Sequence, residues 1–540
     1  MNRYRILFLI WLLALTLFHL WYIGSGSLDL APDEAHYWDW SRRLDLSYYS
    51  KGPMVAYLIA ASTRLGEDSE FFVRLPAVLL ASGTAILVYV LAKELFSRER
   101  LAFLAVLTLS LIPLYAAGSI LMTIDPPFLF FWTLALLAFW KAVQYSSHQP
   151  SAISHQPLNT LWWSLFGLAL GLGMLSKYTM ALLLPSLLLY LWLSPKGRPH
   201  LRCKGLYLAL LLGLLIFSPV FLWNAQHGWV SFRHVMGQAG LSGRSHLSTW
   251  TFLEFLGSQV GVISPALFLA LVFGMGRSAR LSFRRGGPLW PPEMGAHRGA
   301  PLQKGRDEHL FLFFTSAPVL AFFLLWSLHS KVQANWAAPA YLTAAIALAT
   351  WGEELLDQPL PLLKRLAVAS IAGLAITLAS ALLLFGHFPT LLDRAGIDLP
   401  PKVDPTRRLQ GWRELGEAVG ALSQEMSRER HTFIFSDRYQ ITSELAFYVK
   451  GNPRTYNINL GRRMNQYDLW EGFDNFRGQN AIFVTYDDGE APPEIRAAFE
   501  AVEKVETLQT FHRGRPAQTF SIFRCYGFKW LPPSRGRLLY

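Results

Sequence analysis

Asp33 and Glu34 stand side by side in LDLAPDEAHYWDW, about ten residues past a first long apolar stretch. An acid pair in that place has two readings. It can cap the helix that follows, because free amides and the positive end of the helix dipole favour carboxylates, or it can take the proton from a hydroxyl as a general base. Lys51 follows in SKGP, where the next two residues constrain the turn. Asp125 sits in MTIDPPFLFFW, at the mouth of an apolar run, where an acid is costly unless it faces water or a partner. Lys177 and Tyr178 fall in GMLSKYTMALLLP, Asn224, His227 and Arg233 in WNAQHGWVSFRH, and Lys331, Asn335 and Trp336 in SLHSKVQANWAAPAYL. A lone lysine at such a place commonly snorkels to the membrane surface. Acids and cations together describe a site that activates a hydroxyl and holds an anion, since point charges placed where negative charge develops are its strongest lever.

Such residues need elements that bring them together. With 52% hydrophobic, 14% aromatic and 16% charged content over 540 residues, the chain is too apolar for a soluble multidomain enzyme and reads as a polytopic membrane protein. Eleven stretches, near 6–23, 72–95, 101–118, 124–143, 161–176, 179–194, 205–222, 251–275, 309–328, 335–351 and 364–386, approach the roughly 20 apolar residues that cross a bilayer. The first follows Met-Asn-Arg-Tyr-Arg with no clean small-residue cleavage site, which predicts an uncleaved anchor. Counting residues at span ends with the nearer loop, Lys and Arg number 19 on the amino-terminal side and 9 opposite, the carboxyl-terminal tail left out. Basic loops stay inside, so the amino terminus is expected in the cytoplasm and the tail outside. By parity of crossings every acid and cation named above then lies on the outer face. Amphipathic pieces at 35–46 and 53–65 are expected to lie in the interface there, with Trp38, Trp40, Tyr48 and Tyr49 at headgroup level.

The predicted organisation is a membrane domain over 1–386, with one large outside loop at 24–71, and an outside α/β domain over 387–540. In the latter, HTFIFSD, NAIFVTYDD and TFSIFRCYGF read as strands, with helices near 411–428 and 492–504. The polar repeat SSHQPSAISHQP at 146–157 reads as an inside loop. A net charge of +12 is spread over the inside loops, which makes anionic lipid headgroups the expected partner and excludes nucleic acid. Cys203 and Cys525 fall on opposite sides and cannot bridge.

An Asp-Glu pair after the first span, a Lys-x-Pro turn at Lys51, an Asp-x-Pro hairpin at Asp125, a Ser-Lys-Tyr turn at Lys177 and an outside tail resemble, in that order, the family of dolichyl-phosphate-mannose protein mannosyltransferases and the bacterial transferases of aminoarabinose and other sugars from polyprenyl phosphate. The similarity covers nearly all of 1–351, whereas DPTRRLQGWREL and GRRMNQYDLW in the tail resemble a separate bacterial branch and leave sugar and acceptor open. The resemblance implies the α-helical GT-C membrane fold. It also implies an inverting transfer of a sugar from a polyprenyl-phosphate donor to lipid A or its core, a glycan or a protein. Asp33 then matches the family's base, with Glu34 and Asp125 orienting it, binding acceptor or holding a metal. Lys51, Lys177, Arg233 and Lys331 become cations for the donor phosphate, and Tyr178, Asn224, His227, Asn335 and Trp336 substrate contacts. A phosphate leaving group needs no acid. No cofactor is required on this reading; a divalent ion, with Glu34 and His227 as ligands, stays open. A transporter or flippase of lipid-linked sugar is the competing reading, disfavoured by polar groups gathered at one face instead of at midplane in both halves.

Overall fold

In the computed structural model, residues 2–147, 157–238, 240, 247–283, 305–357, 405–512 and 515–530 are described, with residues 373, 376, 377, 391 and 396 between them. Most of the span expected at 364–386, most of the repeat at 146–157 and most of the basic connection from Arg277 to Arg306 lie outside the described residues.

Six described helices are long and apolar enough to cross a membrane. They are α1 (Arg3–Gly24), α4 (Glu70–Phe96), α7 (Asp125–Ser147), α10 (Lys204–Gln226), α13 (Pro265–Phe283) and α14 (Arg306–Trp326). Between α1 and α4 lie α2 (Pro32–Ser41) and α3 (Met54–Leu65). Completing the bundle are α5 (Glu99–Ser110), α6 (Pro113–Gly118), α8 (Pro157–Ser176), α9 (Leu183–Leu193), α11 (Val230–Gln238), α12 (Thr249–Ile263) and α15 (Ala338–Asp357). Prolines punctuate it. The span expected at 101–118 is split before Pro113, and that at 251–275 breaks at Ser264, whose φ of 83° precedes Pro265. The ring of a proline disfavours α geometry in the residue before it, so α12 and α13 cannot run on as one rod.

The chain from Trp412 onward forms α16 (Trp412–Ser427), α17 (Tyr439–Tyr448), α18 (Pro493–Ala498) and five strands: β1 (Thr432–Ser436), β2 (Thr455–Asn457), β3 (Asn480–Tyr486), β4 (Phe499–His512) and β5 (Arg515–Phe528). The sheet order is β2-β1-β3-β5-β4; β1 runs parallel to β2 and β3, while β5 is antiparallel to β3 and β4. Side chains alternate between faces along a strand. Ile434, Ile482, Val484 and Ile522 therefore pack with Trp412, Leu415 and Val419 of α16, and Phe433, Phe435, Phe483 and Phe523 form the opposite core with Phe473 and Phe499. The helix expected near 492–504 ends at Ala498, and the chain continues as β4, because pairing with β5 outweighs a helical charge pattern.

The aromatic residues of the first loop are not at an interface. Trp38, Trp40, Tyr48 and Tyr49 are buried in protein; Trp38 meets Phe447 of α17 edge-on at 4.9 Å, and Trp40 stacks on Tyr48 at 4.3 Å. Two sequence segments fasten the tail there. From the DPTRRLQGWREL stretch, Leu409 accepts the Asp29 amide, the Gln410 amide reaches Ser27, and the Trp412 amide donates to Asp29 Oδ2. Tyr448 of α17 adds a hydrogen bond from its hydroxyl to Glu70 at 2.5 Å and accepts the Leu30 amide at 2.7 Å.

Candidate active site

Glu34 and Asp33 are neighbours with opposite fates. Glu34 is fully buried: its Oε2 takes the Ala31 amide at 2.9 Å and Arg74 Nη2 at 2.8 Å, and its Oε1 takes the Met122 amide at 2.8 Å. Arg74 also donates to the carbonyls of Leu28 and Asp29. The capping reading thus belongs to Glu34, which ties α2, α4 and the hairpin before α7 together. That arrangement leaves it no open face for a base, acceptor or metal, and it corrects the expected role. Sequence reasoning passed over Arg74, although an arginine in the apolar run FFVRLP needs a buried partner.

Asp33 points the other way. It is exposed, yet its Oδ1 accepts the Tyr439 hydroxyl at 3.0 Å. Desolvation by the surrounding protein raises its carboxyl above the usual range; the Tyr439 hydrogen bond and the nearby Lys51 charge oppose that, and Glu34 adds to it. Tyr439 lies against the ring of His36 at 4.9 Å. His36 accepts the Trp40 indole at 3.1 Å, and burial, with the Arg462 charge adding, pushes its imidazole down to about 3, so it stays neutral.

Gly52 explains how the first loop meets the bundle. A Cβ there would lie 2.0 Å from the carbonyl oxygen of Leu175, so only glycine lets the SKGP turn rest on the end of α8, two residues before Lys177. Lys51 is half-buried; desolvation and the Lys177 charge push its ammonium down to about 8, against the pull of Asp33 and Asp125 and with a further downward push from Arg463. Lys177 donates to Asp125 Oδ1 at 2.7 Å over the Phe128 ring, and Asn335 donates to Asp125 Oδ2 at 2.5 Å. Asp33, Lys51, Asp125, Lys177 and Asn335 are therefore one neighbourhood drawn from four separate stretches of the chain.

The other expected residues stand apart from that neighbourhood or serve the scaffold. Asn224 is buried, bonded to the Val220 carbonyl and the Ser231 amide, and shapes the turn between α10 and α11. His227 stacks on Trp223 at 4.0 Å and contacts its carbonyl, so it does not join Glu34 in a metal site. Among the described residues no group of three or more His, Cys, Asp or Glu is placed to hold a metal ion. Lys331 is exposed and pairs with Glu254 at 2.5 Å, which turns it from a phosphate cation into a surface ion pair. Arg233 is exposed on α11. Tyr178 stacks on Phe232 and reaches Ser47 at 3.4 Å, beside the Lys51 turn, and Trp336 packs edge-on against Phe323. Alongside α7, just past Asp125, an apolar cavity of about 330 Å³ is lined by Leu15, Phe18, Val106, Leu109, Pro126 and Leu129 among others.

The tail reaches these groups too. Besides Tyr439, the segment GRRMNQYDLW reaches in: Gln466 accepts the Tyr49 amide at 2.7 Å, and Met464 and Leu469 pack with Tyr49, Trp223 and Val230. Only the departure of that segment from the mannosyltransferase pattern marked it in the sequence.

Residues 50–223 match the family model described as dolichyl-phosphate-mannose-protein mannosyltransferase. The chain is 29% identical over 440 residues to the lipid A galacturonosyltransferase RgtD of Rhizobium johnstonii, covering 81% of each protein. It is 32% identical over 272 residues to the undecaprenyl phosphate-alpha-4-amino-4-deoxy-L-arabinose arabinosyl transferase of Edwardsiella ictaluri, a match to 46% of this chain and 47% of that one. The fold resembles ArnT from Cupriavidus metallidurans bound to undecaprenyl phosphate, with a TM-score of 0.59 at 16% identity over 95% of this chain and 97% of that one.

Proposed function

We propose that this chain, which belongs to the GT-C family of polyprenyl-phosphate-sugar glycosyltransferases, moves a sugar from polyprenyl phosphate to a hydroxyl of lipid A or another envelope glycan. The observation that carries the reading is Asp33, open on one side and held by Tyr439, beside the cations Lys51 and Lys177. A carboxylate lifted above its ordinary range is a stronger base near neutral pH. Asp33 takes the acceptor's proton as that oxygen attacks the anomeric carbon; the bond to phosphate breaks on the far side, so configuration inverts. Lys51 and Lys177 stabilise the charge growing on the leaving phosphate more than that of the bound donor, which is what accelerates a reaction. Asp125 holds Lys177 and Asn335 in place. The cavity lined by Pro126 and Leu129, just past Asp125 on α7, suits the first prenyl units, being apolar.

The site belongs at the outer face of the inner membrane, with the amino terminus inside and the tail outside, as the loop charges favour. The membrane part over 1–386 carries the reaction and the part over 387–540 closes over it. The relatives described above are transferases, and none is a transporter. Purified protein incubated with a polyprenyl-phosphate sugar and lipid A is expected to yield glycosylated lipid A and free polyprenyl phosphate by mass analysis. Movement of the donor across a vesicle membrane with no product would replace the enzyme by a flippase.

A further inference from the structure

Asn335 owes its place beside Asp125 to a line of buried hydrogen bonds that begins on two other helices. It stands in the short turn Ala334–Ala337, which has no side-chain cap of its own. A single 3₁₀ turn holds its geometry poorly without outside support. That support comes from Gln259, a fully buried amide on the largely apolar α12: its Nε2 donates to the Ala334 carbonyl at 2.9 Å and lies 3.5 Å from Ser258 Oγ, and its Oε1 accepts the hydroxyl of Tyr341 on α15 at 2.8 Å. A carbonyl can only accept, so the Gln259 NH₂ must face Ala334 and its oxygen must face Tyr341. Tyr341 is fully buried as well, and Tyr115 secures the next corner by donating to the Ala338 carbonyl at 2.7 Å.

Resting on the glycosyltransferase reading above, we propose that Gln259 is a positioning residue for the donor site: through Ala334 and Asn335 it sets the carboxylate of Asp125, and through that the ammonium of Lys177. Asp125 divides its oxygens, Oδ1 to Lys177 at 2.7 Å and Oδ2 to Asn335 at 2.5 Å. The second partner is neutral. While Asn335 occupies Oδ2, the carboxylate holds Lys177 by one oxygen and leaves other protons of its ammonium for a phosphate, an ammonium having three donors. Released from Asn335, Oδ2 turns onto the same ammonium and competes with the phosphate for it. An amide in so apolar a setting is kept only where both of its ends are paired, so Gln259 has one pose to impart.

The test is the affinity of the full-length protein, in detergent, for undecaprenyl phosphate. Asn335→Ala should weaken that binding roughly 10-fold or more, the worth of one hydrogen bond to a charged group. Gln259→Met, which nearly conserves volume, should lose most of the same affinity. The double variant should bind no more weakly than Asn335→Ala alone, because residues acting in one line do not add, whereas general damage to the bundle would. Tyr341→Phe, which removes one hydroxyl and keeps the ring, should show a smaller loss that likewise disappears in the Asn335→Ala background, and it carries the test should Gln259→Met not fold. Wild-type affinity in Asn335→Ala or in the folded Gln259 or Tyr341 variant, or losses that add to that of Asn335→Ala, would overturn the positioning role while leaving the transferase intact. Wild-type protein that binds no undecaprenyl phosphate would instead overturn the transferase reading beneath it.

Discussion

The Tyr439 hydroxyl donates to Oδ1 of Asp33 at 3.0 Å, joining residues 406 positions apart. That bond favours the charged carboxylate while desolvation by the surrounding protein disfavours it. Removing the hydroxyl with Tyr439→Phe should raise the Asp33 pKa further, move the acid limb of kcat/KM to higher pH and slow transfer, a hydrogen bond to a charged group being worth about 1.5–3 kcal/mol. Asp33→Asn should cost 10²–10⁴-fold, roughly the contribution of a general base, with donor binding kept. An acid limb that stays in place in Tyr439→Phe would separate the tyrosine from the base.

On the proposed mechanism Lys51 sets the other limb. Its ammonium is charged below about 8 and loses its proton above that. The base needs its proton off and the cation needs its proton on, so kcat/KM should be bell-shaped, falling on the alkaline side near 8. Lys51→Arg should remove the alkaline fall, since a guanidinium stays charged throughout. A wild-type profile that is flat through the alkaline range would assign the cation's work elsewhere.

Glu34→Gln should act on stability. It leaves Arg74 buried without its counter-charge, a change that typically costs about 3–5 kcal/mol. The melting temperature in detergent should fall markedly, and transfer should be lost in step with unfolding. A folded, normally melting Glu34→Gln protein without transfer would return this acid to the chemistry.

Gly52→Ala forces a methyl into the backbone of Leu175. The turn must lift from α8, separating Lys51 from Lys177, so undecaprenyl phosphate should bind more weakly. Measured affinity equal to wild type would show that the two lysines need no such contact.

Orientation can be read by thiol labelling in a Cys203→Ser background, Cys525 being buried. An impermeant reagent added to intact spheroplasts should modify Glu471→Cys in the tail and spare Lys196→Cys at the opposite end of the bundle. The reverse pattern would invert the topology.

The sequence made the bundle's frame legible because long apolar runs leave few alternatives. It also marked Asp125, Lys177 and Asn335, since polar residues at span ends are conspicuous, and their contacts follow once the spans are in register. Trp38 and Trp40 misled because an amphipathic helix that docks under a folded tail has the same pattern as one lying in lipid. Tyr439 was out of reach for a different reason. Its partner is 406 positions away, and neither periodicity nor hydropathy carries information over that distance.

The fastening of the tail to the first loop has a consequence for how the protein is made. Asp33, Lys51, Asp125 and Lys177 are synthesised early, and the surface around Trp38 is uncovered until Phe447 arrives to pack on it. During translation the half-built centre therefore leaves these aromatic rings uncovered, with no tyrosine on Asp33. On the proposed mechanism competence comes only with the last portion of the polypeptide, so a chain that stalls before Tyr439 is expected to be inserted but inert.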